Sequence, residues 1–216
     1  MTIETGAREP AHPDGDAGFR FLLECGDPIM AALVSRIGPL DYGARRRGRP
    51  DDAYGSLVRT IVGQQLSTKA ARTIYGRLAA LFGERPPTPA ELIAVDKDAL
   101  RSVGISRQKI GYLRDLAYRV HTRELELDRL HELSDDEVSE RITAVKGLGR
   151  WSADMFLMFH LRRPDVLPVG DLGIRRAVEN VYGLPGLPDE DDLRTLAGPW
   201  RPQRTLACFY LWQTLN

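Results

Sequence analysis

Apolar residues recur at helical spacing along almost the whole chain, and this period constrains the fold more than any other feature. Leu57 and Ile61 lie on one stripe of the segment Ala53–Leu66, and the same spacing returns in Ala70–Phe82 and Lys109–Val120. No segment alternates apolar and polar residues as a half-buried strand does. Short breaks rich in glycine and proline separate the periodic segments. The sequence therefore predicts an all-α protein of about ten helices.

Side-chain oxygens that can cap helices stand at the start of several periodic segments. Ser134 is followed by Glu137, which is the spacing of a capping box. Apart from the three segments above, helices are expected at Phe19–Leu23, Ile29–Ile37, Pro89–Ala94, Lys97–Val103, Asp135–Val145, Arg150–Phe159, Leu172–Tyr182, Glu190–Ala197 and Arg201–Leu215.

Composition excludes several classes of protein. The chain has 216 residues, 43% of them hydrophobic, and no apolar run is long enough to cross a membrane. Two cysteines, Cys25 and Cys208, are too few for a disulfide framework, a four-cysteine zinc site or an iron–sulfur cluster. Residues 1–17 do not resemble a secretion signal and are expected to form a disordered leader. We therefore expect a cytoplasmic protein.

Net charge gives no indication of a nucleic-acid partner, because thirty basic residues balance thirty acidic ones. The basic residues are nevertheless concentrated in two stretches, residues 43–77 and 101–123. These stretches either bind a polyanion or form solvated helix faces, and their composition alone does not decide between the two.

The segment from Arg141 to Ala153 predicts two helices joined by a tight hairpin. Gly147 and Gly149 can adopt a left-handed conformation and let another molecule approach the backbone closely. The amides that follow Leu148 open a new helix, and a helix N-terminus suits a phosphate group. Carbonyls at the end of the first helix could hold a monovalent cation. An ordinary corner between two helices would use similar glycines, so both interpretations stand.

Asp171 follows a Pro-Val-Gly sequence at the start of the next helix. An aspartate at this place is most simply an N-cap. The same position would also present a carboxylate at the mouth of a site.

The two segments together resemble a known signature. The hairpin K-G-L-G-R-W-S-A at residues 146–153, followed by the P-V-G-D loop at residues 168–171, resembles the helix-hairpin-helix (HhH-GPD) superfamily of DNA glycosylases, and most closely its alkylpurine (3-methyladenine type II) branch. Residues 61–67 and 103–114 are similar to further segments of that family. The resemblance implies an all-α, two-lobed fold with a cleft between the lobes and no added β domain. One lobe would comprise residues 18–53 and 168–216, and the other residues 54–167, with the helix-hairpin-helix at about 135–159.

The resemblance also implies catalytic roles. Asp171 matches the essential aspartate, whose carboxylate stabilises the positive charge on the sugar as the glycosidic bond breaks. Trp151 occupies the place where bifunctional members carry a Schiff-base lysine, and an indole cannot act as an amine nucleophile. We therefore expect a monofunctional enzyme without AP lyase activity. Trp151, Trp212 and Met155 are the expected base-pocket residues. Without the resemblance, both tryptophans would most simply be core residues of their helices.

Contacts with DNA are implied in the same way. Gln65 aligns with the side chain that fills the gap left by a flipped nucleotide, with Gln64 and Leu66 as neighbours that could share this task. Two adjacent glutamines could also be plain capping residues. The expected phosphate-binding residues are Lys146, Gly147, Gly149 and Arg150, and the expected ligands of a structural K⁺ or Na⁺ are the backbone carbonyls of Thr143, Val145 and Leu148.

The sequence thus predicts a monofunctional DNA glycosylase that removes alkylated purines from double-stranded DNA in base excision repair. We expect no cofactor for catalysis, no iron–sulfur cluster, no membrane contact, a monomer, and a location at the nucleoid in the bacterial cytoplasm. Two alternatives stay open: the same reaction on another damaged base, and a non-catalytic helix-hairpin-helix module that binds DNA. Asp171 and Trp151 argue against the module, which needs neither residue.

Overall fold

The computed structural model describes residues 15–41 and 50–215, and within these ranges the chain forms helices and no strand. The all-α fold class is therefore confirmed. The helices are α1 (Gly15–Glu24), α2 (Pro28–Ile37), α3 (Ala53–Gly63), α4 (Thr68–Ala80), α5 (Pro89–Ala94), α6 (Lys97–Ser102), α7 (Arg107–His121), a 3-10 helix (Leu127–Glu132), α8 (Asp135–Thr143), α9 (Arg150–Phe159), α10 (Leu172–Tyr182), α11 (Glu190–Leu196) and α12 (Arg204–Gln213). Most of the predicted leader, and Arg45, Arg46, Arg47 and Arg49 of the first basic stretch, lie outside the described residues.

Helix starts follow the capping signals of the sequence. The predicted capping box of Ser134 and Glu137 is present at α8. Thr88 and Glu91 form a second capping box at α5. Further N-cap side chains accept hydrogen bonds from first-turn amides at Asp27, Asp52, Ser67, Asp96, Ser106, Asp171 and Asp189.

Some bounds differ from the predicted ones. Helix α1 begins at Gly15, so the last residues assigned to the leader are helical. The glycine at position 18 lets α1 lie close to α12, since a Cβ there would come within 2.9 Å of the Leu206 side chain. Helix α3 ends at Gly63, three residues early, because Gln64 leaves the helical conformation. The 3-10 helix Leu127–Glu132 was not predicted.

The chain divides into two compact units. One comprises Arg49–Arg162, and the other joins Met1–Gly48 to Arg163–Asn216. In the central unit, α3 packs against α4, α7, α9 and the 3-10 helix. Its core includes Leu57, Ile61 and Leu113, all fully buried. The long apolar stripe of α3 thus organises the unit.

Helix α12 organises the second unit and packs against α1, α2 and α10. Trp200 and Tyr210 are fully buried there. The buried carboxylate of Asp27 caps α2 and also accepts hydrogen bonds from the Tyr182 hydroxyl at 2.5 Å and from Trp200 Nε1 at 2.9 Å. This carboxylate joins segments that are far apart in the sequence. Within the described ranges, no helix is long and apolar enough to cross a membrane.

Candidate active site

The hairpin between α8 and α9 has two glycines with different backbone conformations. Gly147 adopts φ +81°, and a Cβ at this residue would fall within the ring of Tyr112. Gly149 adopts φ −106°, so the prediction of a left-handed conformation is correct for Gly147 and wrong for Gly149. Gly149 is the N-cap of α9, where an extended backbone is normal. The space beside its Cα is open.

Two basic side chains, each paired with a carboxylate, flank the start of α9. The helix begins at Gly149 without a side-chain cap. The side chains of Lys146 and Arg150 are 74% and 65% exposed. Arg150 Nε donates to the buried carboxylate of Asp154 at 3.2 Å, which orients the guanidinium along the helix. Exposed cations beside a helix N-terminus suit an anionic group.

The backbone of the hairpin is fixed from α7. The Lys146 amide donates to Asp115 Oδ2 at 2.9 Å, and Arg119 Nε donates to the same oxygen at 3.0 Å. The Lys146 amide is therefore used within the fold. The amide contribution to phosphate binding would have to come from later residues of the hairpin.

The chemistry of the hairpin carbonyls suits a hard, weakly charged cation, which prefers oxygen ligands. The Val145 carbonyl accepts a hydrogen bond from the Leu148 amide at 3.1 Å, and a carbonyl oxygen has a second lone pair to offer. Thr143 is the last residue of α8, where the helix dipole is negative. Among the described residues, no group of three or more His, Cys, Asp or Glu could hold a metal ion.

The residues between α3 and α4 form a tight turn. Leu66 N donates to Gly63 O at 3.2 Å, Gln64 has φ −52° and ψ 134°, and Gln65 has φ +57°. These values describe a type II turn with Gln65 at the third position, where glycine or asparagine is favoured. Gln65 is exposed. Gln65 is therefore held at the surface in a backbone conformation that ordinarily favours glycine.

Hydrogen bonds from the side chains of Lys109 and Gln64 connect this turn to α7 and to the hairpin. Lys109 Nζ donates to the carbonyls of Val62 at 2.8 Å and Gln64 at 2.7 Å. Gln64 Nε2 donates to the carbonyl of Gly147 at 2.7 Å. Desolvation lowers the pKa of Lys109. The structure thus brings the predicted gap-filling turn and the hairpin into direct contact, and it places the side chain of Gln64 on the hairpin.

The role of Lys109 was not visible in the sequence, where it counted only as one member of the second basic stretch. Two other members are also used within the central unit. Arg114 donates to the Val95 carbonyl at 2.8 Å, and Arg119 pairs with Asp115 and Glu124. Within this stretch, Lys109, Arg114 and Arg119 thus bind other groups of the central unit.

Trp151 and Met155 lie one turn apart on α9, and residues at this spacing share a face of a helix. Trp151 is 42% exposed, which is unusual for so large an apolar side chain. Met155 is 8% exposed and belongs to the buried part of the helix. The indole is thus available at the surface of the central unit while its neighbour is largely covered.

In the second unit, Asp171 and Trp212 are in contact. Asp171 caps α10, with its Oδ1 accepting from Ile174 N at 2.8 Å and from Trp212 Nε1 at 3.2 Å. Gly173 makes this approach possible, because a Cβ there would lie 3.0 Å from Asp171 Oδ1 and 3.3 Å from Trp212 Nε1. The N-cap interpretation of Asp171 is confirmed, and the same carboxylate also accepts a hydrogen bond from an indole. The part played by Gly173 was not predicted.

Comparison with known proteins identifies the family of the chain. Residues 58–202 match the HhH-GPD superfamily of base excision DNA repair proteins. A Schizosaccharomyces pombe protein named DNA-3-methyladenine glycosylase 1 is 35% identical over 194 residues, which cover 87% of this chain and 82% of that protein. DNA-3-methyladenine glycosylase 2 of Escherichia coli is 28% identical over 203 residues, covering 90% of this chain and 68% of that protein.

Two solved structures of 3-methyladenine glycosylases also resemble the chain. The 3-methyladenine DNA glycosylase of S. pombe in complex with abasic DNA has a TM-score of 0.82 and 32% identity, covering 92% of this chain and 96% of that one. A DNA-3-methyladenine glycosidase from Bacillus halodurans has a TM-score of 0.79 and 35% identity, covering 91% and 88%. The chain belongs to the HhH-GPD superfamily of base excision DNA repair proteins.

Proposed function

We propose that the protein is a monofunctional DNA glycosylase that hydrolyses the N-glycosidic bond of alkylated purines, 3-methyladenine and related bases, during base excision repair. The observation that carries the proposal is the carboxylate of Asp171, which α10 and the Trp212 indole hold in one orientation. Support also comes from relatives that are named for this activity and resemble most of the chain.

In the proposed reaction, Asp171 stabilises positive charge on the deoxyribose as the bond from C1′ to the base nitrogen breaks. The bonding electrons leave with the base. Water then adds to C1′ and loses a proton, so the products are free base and an intact abasic site. The N-terminus of α10 stabilises the negative charge of the carboxylate before the reaction begins.

Trp151 supports the monofunctional assignment. Strand cleavage through a Schiff base requires an amine nucleophile at the sugar, and an indole cannot supply one. The backbone of the DNA should therefore stay intact until alkali is added.

An N-alkylated purine carries positive charge and leaves readily. The electron-rich faces of Trp151 and Trp212 would attract such a base by about 0.5–2 kcal/mol through cation–π contact. Met155, with its adaptable thioether, is the third proposed base-contacting residue. We propose that stacking and lability, rather than a set of hydrogen bonds, select the base.

We propose that Gln65 fills the gap left by the flipped nucleotide, with Leu66 beside it. Lys146, Gly147, Gly149 and Arg150 would bind a backbone phosphate, which gives affinity that depends on salt and not on sequence. The carbonyls of Thr143, Val145 and Leu148 are the proposed ligands of a structural K⁺ or Na⁺ at the hairpin. The enzyme would act as a monomer on double-stranded DNA, in the bacterial cytoplasm, and no cofactor would take part in catalysis.

The test is single-turnover release of base from methylated duplex DNA by the purified protein and by its Asp171→Asn variant. Asparagine still caps a helix but carries no charge, so we expect unchanged folding and binding with excision at least about 100-fold slower. Asp189→Asn is the matched control, because Asp189 caps α11 in the same way. It should excise like the wild type.

Three outcomes would contradict parts of the proposal. Near-normal excision by Asp171→Asn would refute the role of the carboxylate. Strand cleavage without alkali would refute the monofunctional assignment. If the wild type bound DNA but released no base, tests with oxidised and deaminated bases would decide between another lesion and a non-catalytic module.

A further inference from the structure

We infer that Lys109 and Gln64 are positioning residues that set Gln65 at a fixed place relative to the phosphate-binding hairpin. The inference rests on the proposed function and deepens it. It assigns the gap-filling task to Gln65 rather than to Gln64, since the Gln64 side chain is bonded to the hairpin. Lys109 and Gln64 would act through Gln65 without touching the base.

The turn itself needs support. Its third residue, Gln65, has φ +57°, a conformation that favours glycine or asparagine over glutamine. The carbonyls of Val62 and Gln64 stand at the C-terminal end of α3, where the helix dipole is negative. The ammonium of Lys109 binds both carbonyls, so it fixes the peptide groups on either side of the point where α3 ends. This contact determines the direction in which the chain enters Gln65.

One face of α7 supports both DNA-contacting elements. Lys109, Tyr112 and Asp115 are spaced three residues apart, so they lie along one side of the helix. Lys109 binds the turn, Tyr112 covers the Cα of Gly147, and Asp115 accepts from the Lys146 amide. The turn and the hairpin therefore share a rigid base.

Gln64 connects the turn directly to the hairpin, because its Nε2 donates a hydrogen bond to the Gly147 carbonyl at 2.7 Å. A phosphate bound at the hairpin and a side chain inserted in the base stack must be separated by a set distance along the DNA. A direct hydrogen bond between the two elements keeps that distance constant. Its loss would reduce the fraction of complexes in which Gln65 enters the stack, and a small displacement of this kind is known to lower rates strongly.

A simple structural role for Lys109, as a cap on α3, makes a different prediction, and a double-mutant cycle separates the two. Single-turnover excision is measured for Lys109→Met, Gln65→Ala and the double variant. If Lys109 acts through Gln65, Lys109→Met should slow the wild-type enzyme by about 10- to 100-fold. It should slow the Gln65→Ala enzyme by no more than about 2-fold, because coupled residues are not additive.

Controls separate charge from position. Lys97→Met removes an equal charge from an exposed residue of α6, and should match wild-type excision. Lys109→Met and Lys97→Met should bind undamaged duplex with affinities within about 2-fold of each other. Lys109→Arg keeps a cation with several donors and should recover part of the lost rate.

The inference is overturned if the losses from Lys109→Met and Gln65→Ala multiply, or if Lys109→Met matches Lys97→Met. If thermal melting shows that Lys109→Met does not fold, Gln64→Leu replaces it in the same cycle with the same expectation.

Absence of base release by the wild type would contradict the proposed function instead of this inference. The cycle is then read from the fluorescence of 2-aminopurine opposite an abasic site, which reports insertion into the stack without any excision.

Discussion

At Asp171, the carboxylate to which we assign the proposed chemistry also caps a helix and binds an indole. Oδ1 accepts from the Ile174 amide and from the Trp212 indole, so the backbone sets the position of the group and one side chain sets its rotation. Gly173 leaves the room that the indole needs. Single residues thus determine whether an ordinary N-cap can also be a preorganised catalytic group.

Trp212→Phe separates the hydrogen bond from the aromatic face. Phenylalanine keeps a ring but loses the Nε1 donor, and a hydrogen bond to a charged group contributes about 1.5–3 kcal/mol. We expect single-turnover excision to fall by roughly 10- to 100-fold while affinity for abasic duplex changes less. Equal losses in rate and affinity would indicate that the indole acts mainly by binding the base.

Gln65 offers a second prediction at this scale, because its backbone favours glycine. Gln65→Gly relieves the left-handed strain, whereas Gln65→Ala keeps it, so the glycine variant should be about 1 kcal/mol more stable than the alanine variant in urea unfolding. Both variants lack the gap-filling side chain and should excise slowly. Wild-type excision by the more stable glycine variant would refute the proposed role of the side chain.

Among the elements, the hairpin between α8 and α9 contains two glycines, Gly147 and Gly149, that differ in backbone conformation and in packing. Gly147 is required by the fold, since it has a positive φ and its Cα lies against the Tyr112 ring. Gly149 has an extended backbone and open space beside it. Glycine is accepted but not required at this N-cap, and the open space beside it is why we propose that a ligand approaches there.

Gly147→Ala and Gly149→Ala form a matched pair. The first should destabilise the protein by about 2 kcal/mol or more, through overlap with Tyr112. The second should change the free energy of unfolding by less than about 1 kcal/mol, yet weaken DNA binding by about 10-fold, or 1.4 kcal/mol. Urea unfolding and fluorescence anisotropy measure the two quantities. Unchanged affinity in Gly149→Ala would contradict the phosphate assignment.

The helices were predictable because their signals are local. Caps such as Ser134 and Asp171 act within one turn, and apolar period acts within one helix. The end of α3 was placed three residues late because apolar Leu66 continues the pattern, while the turn is stabilised by Lys109 from another helix. The apolar period can be recognised in the sequence, whereas the contact of the Lys109 ammonium with the turn cannot.

At the scale of the whole molecule, too, sequence patterns do not reveal which segments remote in the chain contact each other. Asp171 and Trp212 were each identified from resemblance, but their hydrogen bond was not. Motifs identify which residues take part, whereas the folded packing decides which partner each one has.

Asp27 carries the clearest long-range contact, and its ionisation should be visible in the stability of the whole protein. Burial alone would raise the pKa of this carboxyl. Hydrogen bonds from Tyr182, the Met30 amide, Trp200 and the Ile29 amide outweigh burial and lower the pKa from its ordinary value of 3.8. Burial and the nearby carboxylate raise the pKa of Tyr182, so its hydroxyl keeps the proton that it donates.

A carboxyl whose folded pKa lies below its unfolded value stabilises the fold above the unfolded pKa, and that stabilisation is lost as pH falls through the folded pKa. Wild-type stability should therefore decrease from about pH 4 downward, and Asp27→Asn should remove this part of the decrease. At neutral pH the variant should be less stable by about 1–3 kcal/mol, because Tyr182 and Trp200 lose a charged acceptor. Asp96→Asn, at the exposed cap of α6, is the control and should lower the free energy of unfolding by less than about 1 kcal/mol.

Urea unfolding of the three proteins between pH 2.5 and 7, roughly the range over which carboxyls titrate, provides the measurement. A parallel pH profile for wild type and Asp27→Asn would show that the carboxylate does not stabilise the native state through its charge.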